Sequence, residues 1–200
     1  MSSPASPSSP ASPSSPSAPA ERHAAVAGAF SARVDGVRDW EAPAPVDGWV
    51  ARDVVAHLVE WMPAFLAAGD VELSNDGPAV TEDPAGAWHA HARAMQALLD
   101  GPDADREFTH PRAGTHQLGA AIDQFYTTDV FLHTWDLARA TSQDDTLDEE
   151  TCAALLVGME PWDEILRTSG QYGPRVSVPD DASAQDRLIA FIGRDPAWKP

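Results

Sequence analysis

The 200-residue chain contains one cysteine, Cys152, and one lysine, Lys199. A lone thiol excludes an internal disulfide, a thiolate zinc cluster and a Cys-x-x-Cys redox pair. Positive charge is scarce: 13 Lys and Arg stand against 31 Asp and Glu, for a formal net charge of −18. This argues against nucleic acid as the main partner, because phosphate binding needs a basic face that releases counterions. An anionic membrane surface is disfavoured for the same reason. No apolar run approaches the roughly 18–20 residues of a membrane span. Strand-like alternation is nearly absent, and no internal repeat is found. There is no G-x-S-x-G, Walker or dinucleotide fingerprint. The first residues have neither the basic start nor the apolar centre of a secretory leader, so a cytoplasmic protein is expected.

Two unlike segments remain. Residues 1–20 hold only Met, Ser, Pro and Ala, with proline at every third position from Pro4 to Pro19. That period matches polyproline II, and such a composition cannot build a core. A disordered extension is expected there, followed by one folded domain over 21–200. The domain reads as all-α. Apolar residues at helical spacing predict helices over 21–39 and 51–68, the second carrying Val54, Leu58, Trp61, Met62 and Phe65 on one face and a bend at Pro63. A helix capped by Asp83 runs to about Gly101, and the longest covers 116–141. A Thr146/Glu149 capping box opens a helix reaching 167 through Trp162 and Ile165. Ser183 and Asp186 start a last short one, stopped by Gly193. Long amphipathic helices joined by loops imply an antiparallel bundle.

The chemistry lies in polar residues on the apolar stripe of the 116–141 helix. That stripe is Leu118, Ile122, Phe125, Leu132 and Ala140, and it also passes through Asp129, His133 and Asp136. A carboxylate facing a core is costly unless it is paired or bound to a cation. Four residues turn a helix by about 400°, so Asp129 and His133 stack one turn apart on one face. One metal ion can meet both, as in other i, i+4 ligand pairs. On the 51–68 helix, His57 stands at the edge of the stripe beside Val54 and Trp61. Together these make a set of two histidines and one carboxylate with a fourth position left open, which suits a catalytic zinc site or iron(II). Against this, one inward histidine is more often a hydrogen-bonded core residue, and an Asp–His pair is often a plain ion pair.

The other histidines carry weaker signals. His89 and His91 point about 200° apart on their helix and cannot share an ion. His110 and His116 fall at loop or helix-start positions, and His23 is expected in solvent. Cys152 reads as a small packed residue, and the acidic run 144–150 as a solvated helix start.

Residues 48–59 (GWVARDVVAHLV) and 129–141 (DVFLHTWDLARAT) resemble the two ligand-helix signatures of the DinB-like metal-binding proteins. They are most similar to the metal-binding domain of mycothiol-dependent maleylpyruvate isomerase and its single-domain relatives. The tail, from Gly173-Pro174-Arg175-Val176 through 184–188 to Trp198, is similar to the single-domain relatives. The resemblance implies a four-helix bundle, here with an additional short C-terminal helix. It also implies a divalent metal on His57, Asp129 and His133. Zinc is the expected metal, with iron(II) and nickel(II) as alternatives. The isomerase has Glu where this chain has Asp129, and a second C-terminal domain for which this chain has no room. The implied activity is an isomerisation or transfer in which a thiol cosubstrate, mycothiol, attacks a small electrophile. Asp136 is then a candidate to orient His133, and Arg139 a candidate for a substrate anion. The competing readings are a non-catalytic metal-binding or regulatory bundle and a metal-dependent hydrolase. A monomer or homodimer fits either.

Overall fold

The computed structural model describes residues 18–168, 170 and 172–200, and is mostly helical. Helices α1 (Pro19–Asp35), α2 (Ala51–Ala67) and α3 (Pro84–Leu99) come first. A hairpin follows, β1 (Glu107–His110) and β2 (Gly114–Gln117). Next are α4 (Leu118–Ala121), a π-helical turn (Ile122–Thr127) and α5 (Thr128–Ala140), which run on continuously. Then come α6 (Glu149–Met159), a 3-10 turn (Glu160–Trp162), α7 (Asp163–Thr168) and α8 (Ala184–Phe191). Among the described residues, no helix is long and apolar enough to cross a membrane.

Helices α1 and α2 each pack on both α3 and α5, enclosing a core that includes Phe30, Val54, Leu58, Met62, Trp88, Met95 and Val130. Helix α5 is buried on every side from Val130 to Ala138, as expected of an element between two cores. Its other face, Phe131, Leu132 and Trp135, joins Leu147, Cys152, Leu156, Leu188, Ile189 and Phe191 of α6, α8 and the segment before α6 in a second core.

Helix starts follow local chemistry. The Asp83 side chain accepts from Gly86 N–H at 2.9 Å and Pro84 opens α3, satisfying one donor that a helix N-terminus leaves free. Asp53 accepts from Val50 N–H at 2.9 Å and fixes the start of α2. That helix continues through Pro63. Ser183 accepts from Asp186 N–H at 3.0 Å, and Gly193, at φ +89°, follows α8.

Several expectations need correction. The extension expected over 1–20 falls on undescribed residues up to 17, but Pro19 and Ala20 already form the first turn of α1. Helix α1 ends at Asp35, with Gly36 N–H still bonded to Arg33 O at 3.1 Å. His116 belongs to a strand, paired with Phe108, and not to a helix. Phe108 points inward with Glu107 and Thr109 outward, and Gly114 takes the positive φ, +82°, that ends the connection. Four-residue strands carry too little alternation to stand out in a sequence. The π-turn inserts a residue into the long helix, so Tyr126 is fully buried and Phe125 only half-buried. Helix α6 is capped by Asp148, which accepts from Thr151 N–H at 2.8 Å. The Glu149 carboxylate reaches Ala184 N–H at 2.9 Å and ties the start of α8 to α6. Pro161, which lacks an N–H, sits in the 3-10 turn that ends α6. Phase is lost there, and Trp162 and Ile165 are 58% and 59% exposed instead of packed.

Candidate metal centre

Helices α2 and α5 pack against each other. His57 on α2 places Nε2 3.0 Å from Asp129 Oδ2 on α5. His133, one turn further along α5, has Nε2 3.6 Å from Asp129 Oδ1. One ligand-type atom from each of the three lies within 4.8 Å of the others. The imidazoles meet edge-on, with ring centroids 4.8 Å apart. So His57, Asp129 and His133 form one His–Asp–His group that could hold a metal ion.

The next contacts fix these side chains. His133 Nδ1 lies 2.8 Å from Asp136 Oδ2, one turn on. An ionised carboxylate only accepts, so Nδ1 carries a proton, and in the neutral ring Nε2 is the nitrogen left for a metal. Asp136 is wholly buried and also receives Arg194, with Nε 3.2 Å from Oδ1 and Nη2 3.3 Å from Oδ2. The Arg194 guanidinium thus anchors the end of the second core to α5. The Trp61 indole N–H donates to Asp129 Oδ2 at 3.0 Å. Trp49, just before α2, stacks on His133 at 5.9 Å and tilts against His57 at 5.3 Å.

Charge is compensated step by step. Burial pushes the Asp129 carboxyl up, but His133, His57 and the Trp61 N–H together hold it below the usual carboxylate range. Burial likewise lowers His133, but the Asp129 and Asp136 carboxylates hold its pKa above the ordinary histidine value. Burial raises Asp136, yet the His133 hydrogen bond and Arg194 bring it down. Burial and the Asp129 charge push the Tyr172 phenol up to about 12. The side chains of His57 and Asp129 remain 34% and 21% exposed, so one side of the group faces solvent.

Arg139 is not part of this group. It pairs with Asp145, donates to Trp198 O at 3.2 Å and lies over the Trp135 ring. His89 bonds Asp35 at 2.8 Å. His23, expected in solvent, is 1% exposed, with Nδ1 2.8 Å from Gln96 Oε1. The correction is physical: α1 turns it onto α3 and Tyr126 rather than outward. His91 is fully buried near the same tyrosine. Cys152 is fully buried, and burial pushes its thiol up to about 12. The sequence reading missed Trp49, Arg194 and the donor role of Trp61. Trp61 stands four residues after His57, a usable signal; Arg194 lies 58 residues from Asp136 and left none.

Fold and site together define a mostly helical protein with a candidate His–Asp–His metal centre. Two proteins of Mycobacterium tuberculosis, "Uncharacterized protein MT0763" of strain CDC 1551 / Oshkosh and "Uncharacterized protein Rv0738" of strain H37Rv, are each 28% identical to it over 183 residues. The match covers 86% of this chain and 95% of each relative. No family model and no solved structure matches the chain.

Proposed function

We propose that the protein is a divalent-metal-binding helical bundle of the DinB-like type, acting as a thiol-dependent isomerase or transferase on a small electrophile. The observation that carries this is the convergence of His57 Nε2, an Asp129 oxygen and His133 Nε2 from two helices. The ring formed by α1, α3, α2 and α5 supports the four-helix core of that architecture. Two imidazoles and one carboxylate suit zinc, with iron(II) or nickel(II) as alternatives, and leave a coordination position open. A bound ion lowers the pKa of a thiol or water that reaches it, which makes a nucleophile at neutral pH.

The chain's own residues prepare that position. Asp136 keeps the His133 proton on Nδ1, so Nε2 stays available. The Trp61 indole N–H holds Asp129 in one rotamer. Trp49 closes one side of the rings, while the exposed edge of His57 and Asp129 gives a thiol access. By the resemblance of its two ligand helices, mycothiol is the thiol.

Metal analysis tests this directly. Purified protein is expected to carry about one divalent ion per chain, read by elemental analysis. His57→Ala and His133→Ala should each lower affinity by at least about a hundredfold in calorimetric titration. Retention of metal by both variants would show that other residues bind it. Metal-dependent consumption of thiol in the presence of an electrophile would separate the enzyme from a bundle in which the ion only ties two helices.

A further inference from the structure

Along α2, the ligand His57 is followed at four-residue intervals by Trp61 and Phe65. Four residues are just over one turn, so the three rings share a face, and eight residues span about 12 Å. The centroids lie 6.3 Å apart from His57 to Trp61 and 5.6 Å from Trp61 to Phe65. At the far end, the hairpin and the π-turn extend the row. His110 stacks on Phe65 at 4.4 Å, and Phe125 lies 5.5 Å from Phe65. All five rings are half-buried, over a floor of fully buried Phe108 and Tyr126.

The two ends of this strip differ chemically. One end is the His–Asp–His group. At the other, His110 Nδ1 accepts the backbone N–H groups of Arg112 at 3.2 Å and Ala113 at 3.1 Å. A ring nitrogen that accepts carries no proton, so neutral His110 is protonated on Nε2. That N–H has no hydrogen-bond partner among the described residues, and it stands beside the Phe65 face. Between the two ends the rings meet at mixed angles, 34° from His57 to Trp61 and 78° from Trp61 to Phe65, and Trp61 and Phe65 carry no formal charge.

We propose that this strip binds the aromatic or conjugated body of a substrate, through ring edges as well as ring faces. One end of the molecule gives a donor atom to the metal, and the other gives a hydrogen-bond acceptor to His110. Such a ligand matches the strip in length, about 12 Å by helical rise, and in polarity at both ends. The inference rests on the metal reading above and narrows it from any small electrophile to an aromatic one.

Two hydroxamates test it with the full-length, cobalt(II)-loaded protein. Acetohydroxamate and 2-naphthohydroxamate share a metal-binding head, and only the second has flat rings. The visible cobalt spectrum reports the head, and titration gives each affinity. The naphthyl compound is expected to bind at least about tenfold tighter. In Phe65→Leu, which keeps an apolar side chain over Phe108, that preference should shrink severalfold while acetohydroxamate affinity stays unchanged. Phe125→Leu provides an independent variant from a different element, with the same expected result. Equal affinities of the two compounds in the unsubstituted protein, with cobalt bound, overturn the strip and leave the metal reading standing. Failure to bind cobalt at all overturns both.

Discussion

Two histidine clusters meet at Tyr126 and are built on opposite terms. In the first, His57 and His133 face Asp129, and His133 also faces Asp136, itself paired with Arg194. In the second, His23 and His91 lie near Tyr126 with ring centroids 6.0 and 5.5 Å from it. Among the described residues, no carboxylate bonds either ring. His23 Nδ1 meets the Gln96 amide oxygen, and the Gln96 nitrogen donates to Ala20 O and Asp100. His23 therefore holds its proton on Nδ1 and buries a bare lone pair on Nε2. Both nitrogens of His91, and the Tyr126 hydroxyl, are buried without a partner among the described residues. Burial lowers His23 and drives His91 down to about 4, whereas the carboxylates raise His133. Inward direction alone thus does not mark a ligand histidine. What sets the candidate metal group apart is two imidazoles converging on one carboxylate with one side open to solvent; His89, with Asp35 alone, lacks that convergence.

Acid titration separates the clusters most sharply. The unfolded chain takes up a proton on residue 91 near pH 6.5, while the folded chain resists until about pH 4. Above pH 6.5 neither state holds that proton, so titration of His91 has no effect on stability there. As pH falls from 6.5 to 4, the unfolded state binds more protons and stability declines, by about 3 kcal/mol at full extent. His133, whose folded pKa is raised, works the other way in metal-free protein: its contribution is present below pH 6.5 and lost as pH rises through the folded pKa. His91→Leu should remove most of the acid loss and leave stability at pH 7 equal or higher, because it deletes two buried unpaired nitrogens. Denaturant unfolding at about pH 7 and about pH 4.5 measures both. An equally steep acid loss in the variant would show that His91 is already protonated or solvated in the fold.

A smaller effect is expected at Asp136. Asp136→Asn keeps the shape but can turn an N–H towards His133 Nδ1, which moves the imidazole proton to Nε2, the nitrogen that faces Asp129 in the candidate metal group. Metal affinity should fall by about 10–100-fold in competition titration. If affinity is unchanged, the Asp136–Arg194 pair serves only to join the two cores, and the first cluster resembles the second more than its charges suggest.

The sequence exposed what is local. Asp129 and His133 are one helical turn apart, and their conflict with an apolar stripe is visible without coordinates. Helix caps at Asp83 and Ser183 were legible for the same reason. The site lost detail wherever partners are distant: Arg194 reaches Asp136 only because α8 and α5 share the second core. A single inserted residue in the π-turn also escaped, since the 3.6-residue period places Phe125 inward and the structure places Tyr126 there. His23 and His91 could not be told from surface residues by charge or spacing, because burial against Tyr126 is decided by packing. At the 146–149 box, Asp148 is the nearer acceptor, and a pattern of two letters could not rank it above Thr146.

The mildest substitution asks how far Asp129 depends on a neutral partner. Gln96 orients His23 by one uncharged hydrogen bond, and Trp61 does the same for Asp129 through its indole N–H. Trp61→Phe removes that donor while leaving a ring against Phe65 and Tyr126. Asp129 then keeps His57 on Oδ2 and His133 near Oδ1, so the carboxylate loses one of its three restraints. A loss of about 1 kcal/mol, or about fivefold in metal affinity, is expected from calorimetry. A hundredfold loss would make the indole a principal organiser of the site. No change would mean that the two imidazoles alone hold the carboxylate, and that charge pairing suffices to distinguish this cluster from its uncharged neighbour across Tyr126.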